Sequence, residues 1–309
     1  MEIDTRFPTK LDTVSDAPEP LRSALVESLP SGELVRLLVH APAFSTENEK
    51  SPATVLAVTN TGWAVASETE SGGASIDKSD FNDTLFFELK SILLSGQLKI
   101  SFAAVNTSRS VTIKFETVED EFYRAAIELM LVGIDPALAG VGEKDPNEVS
   151  MLDGWPMKVR NEAQRYWPSG QRFLAAINWP AIFGGSEEQL APHGALLITE
   201  RELVVISEEK DSLVEHLPKA PSAVEPKENF GGIITLVPRV RLADFNVSHQ
   251  EGFDVLALQV QTAHGGEKLE IIIPSDNEKA VSKAMKQMLL SRGSADLAIN
   301  DKLVRGTKS

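Results

Sequence analysis

The chain contains no cysteine, which excludes disulfides, thiolate metal sites and a cysteine nucleophile. No run of 18 or more apolar residues occurs, so no segment reads as a membrane-spanning helix. The first residues, MEIDTRFPTK, lack the apolar stretch of a secretory leader. A soluble, cytoplasmic protein is therefore expected. Basic side chains are in deficit, with 30 Lys and Arg against 45 Asp and Glu and a formal net charge of −15. Residues 1–150 hold 24 acidic side chains against 12 basic ones, and residues 151–309 hold 21 against 18. A field of this sign repels phosphates and anionic headgroups. Nucleic acid is not expected as a partner, and membrane association is disfavoured.

Recognisable chemistry is also missing. The glycine pairs Gly72-Gly73, Gly184-Gly185, Gly231-Gly232 and Gly265-Gly266 are not followed by the Lys-Ser or Lys-Thr of a phosphate loop, and no G-x-S-x-G elbow occurs. The five histidines (His40, His193, His216, His249 and His264) show no metal-ligand spacing. His40 reads as a polar residue at a strand end, His264 as part of a turn and His216 as part of a loop. The acids of VEDEFY (118–123) suit the first turn of a helix, where they favour the macrodipole, better than a Ca²⁺ site. No catalytic residue, cofactor or metal is expected.

What the chain does contain is a repeat. PSGELVRLLVHAPAF (30–44) and PSGQRFLAAINWPAIF (168–183) share Pro-Ser-Gly, a following Glu or Gln, and a second proline at the same distance. The same offset of 138 residues places PLRSALVESL (20–29) on KVRNEAQRYW (158–167). Leu21, Ala24, Leu25 and Leu29, and likewise Val159, Ala163 and Trp167, fall at helical spacing. The phrase thus reads as a helix stop, a turn and a first strand. At an offset of 140, LAVTNTGWAVASE (56–68) faces LITERELVVISEE (197–209), each a strand, tight turn and strand.

Further strands are expected at 84–95, 97–105 and 110–117, and at 232–248, 254–263 and 267–275. At an offset of 158, SVTIKFETVEDEFYRAAIELML (110–131) faces KLEIIIPSDNEKAVSKAMKQMLL (268–290). Thr117 and Ser275 are expected as N-caps, with Asp120 and Glu278 three residues on. Phe122, Ala126, Ile127, Met130 and Leu131 align with Ala280, Ala284, Met285, Met288 and Leu289 as one apolar stripe for a sheet.

The composition, 42% hydrophobic and 24% charged, suits soluble domains with a real core. The boundaries read as a flexible N-terminus over 1–18, a first domain over 19–133 and a linker over 134–156. A second domain follows over 157–292, with a mobile insertion at 209–230, and then a tail over 293–309. The fold class expected is α+β, mainly β.

Short strands closed by one amphipathic helix, carried by PSGELVRLL, VLAVTNTGWAVAS and VTIKFETVEDEFYRAAIELML and by their second copies, resemble the pleckstrin-homology superfold. The whole is similar to a tandem pair of bacterial pleckstrin-homology-like domains. The resemblance implies two bent antiparallel barrels, each preceded by a short helix and plugged by a C-terminal one. Phosphoinositide-binding members cluster Lys and Arg in the loop after the first strand. Here that loop (41–53) offers Lys50 alone beside Glu47 and Glu49, and its counterpart (180–194) offers no Lys or Arg. Phosphoinositide binding is therefore not expected.

The expected function is a non-catalytic scaffold that binds another protein, an unidentified one. A peripheral lipid or membrane-surface adaptor is the alternative, and an enzyme with a small-ligand site between the domains is a third reading. Candidate partner-surface residues are Trp63, just past a tight turn, Trp179, and Arg239 with Arg241. The two arginines are expected at strand spacing on one sheet face.

Overall fold

The computed structural model describes residues 7–45, 50–92, 95–136, 150–165, 173–183, 189–208 and 231–290. The insertion read at 209–230, the tail 293–309, His216, Trp167, Pro168 and Gly170 lie outside the described residues, as does most of the linker. The chain divides into two compact units. One comprises Met1–Pro136, Glu209–Ile234 and Thr262–Gly266, and the other Ala137–Glu208, Thr235–Gln261 and Glu267–Ser309.

The first unit runs β1 (Thr9–Leu11), α1 (Leu21–Ser28), β2 (Val35–Ala41) and a two-residue pair, β3 (Phe44–Ser45) with β4 (Lys50–Ser51). It continues as β5 (Thr54–Thr59), β6 (Gly62–Glu68), β7 (Ala74–Asp80), β8 (Thr84–Ile92), β9 (Ser95–Ala104), β10 (Thr107–Glu116) and α2 (Asp120–Ile134). One antiparallel sheet has the order β1-β2-β5-β6-β7, and β8, β9 and β10 form an antiparallel meander. Strands β5 and β6 are continuously apolar over Val55–Val58 and Trp63–Ala66 because both sheet faces are covered there. Val55, Ala57, Ala64 and Ala66 join Leu21 and Leu25 of α1 in one buried cluster. The alternate residues Leu56, Val58, Trp63 and Val65 are buried too, and α2 packs against β2, β5 and β6.

The second unit repeats this plan. It contains α3 (Met157–Arg165), β11 (Phe173–Trp179), β12 (Ile182–Phe183), β13 (Gln189–Ala191), β14 (Gly194–Thr199) and β15 (Glu202–Glu208). Strands β16 (Gly231–Pro238), which enters this unit at Thr235, β17 (Leu242–Gln250), β18 (Phe253–Gln261) and β19 (Gly266–Ile273), which belongs to it from Glu267, follow, and then helix α4 over 278–290. Strand β14 pairs with both β11 and β15, and β17, β18 and β19 form a second sheet in that order.

The duplication reaches into irregular details. Register shifts fall between Val35 and Leu37 in β2 and between Phe173 and Ala175 in β11. They recur between Thr84 and Phe86 in β8 and between Leu242 and Asp244 in β17. Three-residue 3-10 turns precede β8 (Phe81–Asp83) and β17 (Arg239–Arg241). Backbone bonds from Phe81 N–H to Thr61 O, 2.9 Å, and from Arg239 N–H to Arg201 O, 2.8 Å, anchor both turns alike.

Several expectations need correction. The architecture is α+β and mainly β, but among the described residues no sheet closes into a barrel. The 3-10 turns divert the chain, so β7 and β8 belong to different sheets, as do β16 and β17. The strand expected over 232–248 is broken at Pro238, which has no N–H to donate to a ladder. Strand β7 was not expected at all: ASIDKSD carries only Ala74 and Ile76 as apolar residues, packed half-buried against the core cluster, too short an alternation to mark a strand.

The helix stripes hold at Ala126, Ile127, Met130 and Leu131 and at Ala284, Met285 and Met288, and differ only at their first positions. Tyr123 and Val281 are buried in the positions expected for Phe122 and Ala280. Tyr123 stacks on Phe115 with ring centroids 3.8 Å apart. Thr117 and Ser275 do not cap α-helices. Each opens a 3-10 turn that leads into its helix. His40 is the penultimate residue of β2, at the strand end expected for it, and is 5% exposed.

Candidate functional site

A groove of about 420 Å³ opens on the first unit. Four stretches distant in sequence form it: the end of α1 with Pro30 and Glu33, the β5–β6 hairpin, the end of β7, and the β9–β10 region with Phe102 and Arg109. The repeated phrase at 30–44 thus supplies one wall. Gly62 permits the closeness of the floor, because a Cβ there would overlap the Ser79 carbonyl oxygen of β7.

Trp63 lies in the floor at 2% exposure. Its indole N–H donates to Thr84 Oγ1 at 2.9 Å, and its ring meets Phe102 edge-on at 5.1 Å. The Thr84 hydroxyl donates in turn to the Asp80 carbonyl at 3.1 Å. The indole is therefore locked beneath the groove, almost wholly covered, its polar edge already satisfied.

The charged rim is held just as firmly. Lys78 Nζ donates to the Ser28 carbonyl at 2.8 Å, and Arg109 Nη2 meets Asp77 Oδ1 at 3.0 Å. The Arg109 guanidinium also lies 5.8 Å from the Phe102 ring centre. Glu33 Oε1 accepts from the Thr61 hydroxyl at 2.8 Å. The neighbouring Thr59 and Thr61 side chains hold the Glu33 carboxyl below the usual carboxylate range. Asp83, at the far end, pairs with His264 Nδ1 at 2.7 Å, and His264 belongs to the 262–266 turn of this same unit.

The other candidates are dispersed. Trp179 is buried, its ring against Gly194 of the neighbouring strand. Arg239 and Arg241 do not lie on a strand face, because they open and close a 3-10 turn. Arg239 is 8% exposed, and its Nη1 donates to the Glu200 carbonyl at 3.0 Å. Beside that turn Arg201 and Glu202 form an ion pair in which both side chains are buried. Glu202 is the counterpart of Gly62.

One arrangement contains the residue types of a catalytic triad. Asp254, 2% exposed, accepts from Ser275 Oγ at 3.0 Å and meets His249 Nδ1 at 2.7 Å. The carboxylate sits between hydroxyl and imidazole, so the imidazole does not contact the nucleophile it would have to deprotonate. The group ties the β17–β18 hairpin to the start of α4. Among the described residues no group of three or more His, Asp or Glu could hold a metal ion, and no helix is long and apolar enough to cross a membrane.

Sequence reasoning missed a basic stripe. Lys279, Lys283 and Lys286 lie along the exposed face of α4 beside Ser282, Gln287 and Leu290, and Leu290 is 76% exposed. Their spacing, i, i+4 and i+7, places them on one helix face and was available in the sequence. No family model matches the chain, and no curated protein matches it either.

Proposed function

We propose that the chain is a non-catalytic binding protein, built from two tandem pleckstrin-homology-like domains, that engages another protein. The repeated order of strands followed by an amphipathic helix supports the family reading. The observation that carries the functional reading is the groove of the first unit. It combines a rigid base, in which the buried Trp63 packs on Phe102, with charged rim groups held in place by their own bonds. Such a surface suits recognition by shape and rim charge rather than proton transfer. The test is a quantitative pull-down from lysate with the parent chain and with Arg109→Glu and Lys78→Glu variants. A stoichiometric protein partner lost in both variants is the expected result. No stoichiometric partner, or one retained by both variants, would overturn the reading.

A second reading, peripheral association with an anionic membrane surface, is favoured by the lysine stripe of α4 with Leu290 at its end. Flotation with phosphatidylserine liposomes at low salt decides it. Binding abolished by Lys279→Glu/Lys283→Glu would support it, and failure of the parent to float would remove it.

A further inference from the structure

The charges that line the groove of the first unit are not all matched. Arg109 is paired with Asp77, and Asp83 with His264. Three others have no oppositely charged partner among the described residues. Lys78 Nζ donates to the Ser28 carbonyl at 2.8 Å, a neutral group. Asp80 accepts from Thr84 through its main-chain carbonyl, and among the described residues nothing bonds its carboxylate. Glu33 accepts from the Thr61 hydroxyl at 2.8 Å, again a neutral group.

These three charges form a row. Lys78 and Asp80 are two residues apart on β7, so they share a face and stand roughly 7 Å apart along the strand. Opposite them on β6 are Ala64 and Gly62, one small side chain and none. Ala74 and Ile76 hold the same face further back, where they pack against the α1 cluster. Past the end of α1 at Ser28 this face becomes a wall of the groove. Glu33 reaches the hairpin through Thr61, the neighbour of Gly62, and so joins Asp80. The row therefore has a cation at one end and two carboxylates at the other.

We infer that the groove takes an extended segment of a partner protein carrying one basic and one acidic side chain two residues apart. This rests on the reading of the groove as a protein-binding surface, and it adds the chemistry of the bound segment. In an extended chain side chains i and i+2 share a face at the same spacing of roughly 7 Å. The basic one then meets Asp80 and Glu33 while the acidic one meets Lys78. A phosphate or a wholly acidic segment would meet Lys78, but also both carboxylates and the field of a chain with a net charge of −15. A wholly basic segment would set a cation against Lys78.

The test measures binding of fluorescein-labelled peptides to the full chain by anisotropy at low salt. The probes are Thr-Lys-Thr-Glu-Thr and Thr-Glu-Thr-Lys-Thr, with the doubly basic and doubly acidic versions of the same frame. At least one mixed peptide is expected to bind about tenfold more tightly than either like-charged one, the gain that two exposed ion pairs supply. Lys78→Glu should turn the preference to the doubly basic peptide, and Asp80→Lys should turn it toward the doubly acidic one. Asp80→Asn, a milder change at a carboxylate without a partner, guards against a misfolded lysine variant and should weaken the mixed peptide with unchanged circular dichroism. No binding by any of the four peptides, equal affinity for all, or selectivity unmoved by both charge reversals would overturn the proposal. If these peptides fail while a lysate partner is still lost in Lys78→Glu, the protein-binding reading stands and the dipolar segment falls. Selectivity for a mixed peptide that both reversals abolish supports the proposal whether or not the lysate yields a partner.

Discussion

Thr59 and Thr199 make the same three hydrogen bonds, each in its own hairpin. Thr59 Oγ1 accepts from the backbone N–H of Thr61 (3.2 Å) and of Gly62 (3.0 Å), and donates to the Gly62 carbonyl at 3.1 Å. Thr199 Oγ1 accepts from Arg201 (3.2 Å) and Glu202 (3.0 Å), and donates to the Glu202 carbonyl at 2.9 Å. Both hydroxyls are buried and satisfy backbone groups that the two-residue turn leaves without ladder partners. Thr59→Val keeps the shape and strands those groups. It is expected to destabilise by about 2 kcal/mol, and Thr199→Val by a similar amount, measured by urea unfolding. A loss below about 0.5 kcal/mol at both sites would contradict this role.

These hairpins were legible in the sequence because their signal is local: an apolar run, a two-residue turn and a second apolar run. The terminal helices were legible through their stripe, and the shift from Phe122 to Tyr123 is small because adjacent aromatic residues serve the periodicity about equally. Strand β7 was not legible. It carries only two apolar residues, Ala74 and Ile76, and its place depends on β6 and on the missing side chain of Gly62. The buried Arg201, Glu202 and Arg239 were hidden by the rule that charges face water, which partners in the fold can override. The groove could not be read at all, because it joins residues 28–33, 59–63, 78–83 and 102–109.

Gly62→Ala tests how the floor of the groove is built. The added methyl would overlap the Ser79 carbonyl, a backbone atom that can yield only if β7 moves away from β6. Overpacking of this kind costs about 1–3 kcal/mol. The loss should be accompanied by faster hydrogen exchange in residues 74–80. Gly72→Ala is a useful contrast, since nothing lies within 4 Å of its added Cβ and only its positive φ of 79° opposes the change.

His40 should make the first unit sensitive to mild acid. The ring is 5% exposed, and burial holds its pKa below the ordinary histidine value. The folded state therefore resists protonation that the unfolded chain accepts near pH 6.5. Because the unfolded state binds more protons in this window, stability is highest above about pH 6.5 and falls as pH is lowered below it. The slope contributed by this one group cannot exceed about 1.4 kcal/mol per pH unit. His40→Asn, the residue found at the counterpart Asn178, should flatten the difference between unfolding free energies at pH 7 and pH 5.5. An unchanged pH profile in that variant would show that His40 is not the group responsible.

The Arg201–Glu202 pair invites a double-mutant cycle. Side-chain exposures of 4% and 0% leave water little access to either charge. Glu202→Gln would leave the Arg201 guanidinium buried without its carboxylate, and losing one partner of a buried pair costs about 3–5 kcal/mol. Replacing both residues removes the stranded charge, so Arg201→Met/Glu202→Leu should recover much of that loss. The expected signature is a double variant more stable than Glu202→Gln alone, with strong coupling between the sites. If the losses of Arg201→Met and of Glu202→Leu, measured singly, simply add in the double variant, the pair does not act as a unit, and the local bonds of Arg201 and Glu202 to the turn account for its stability instead.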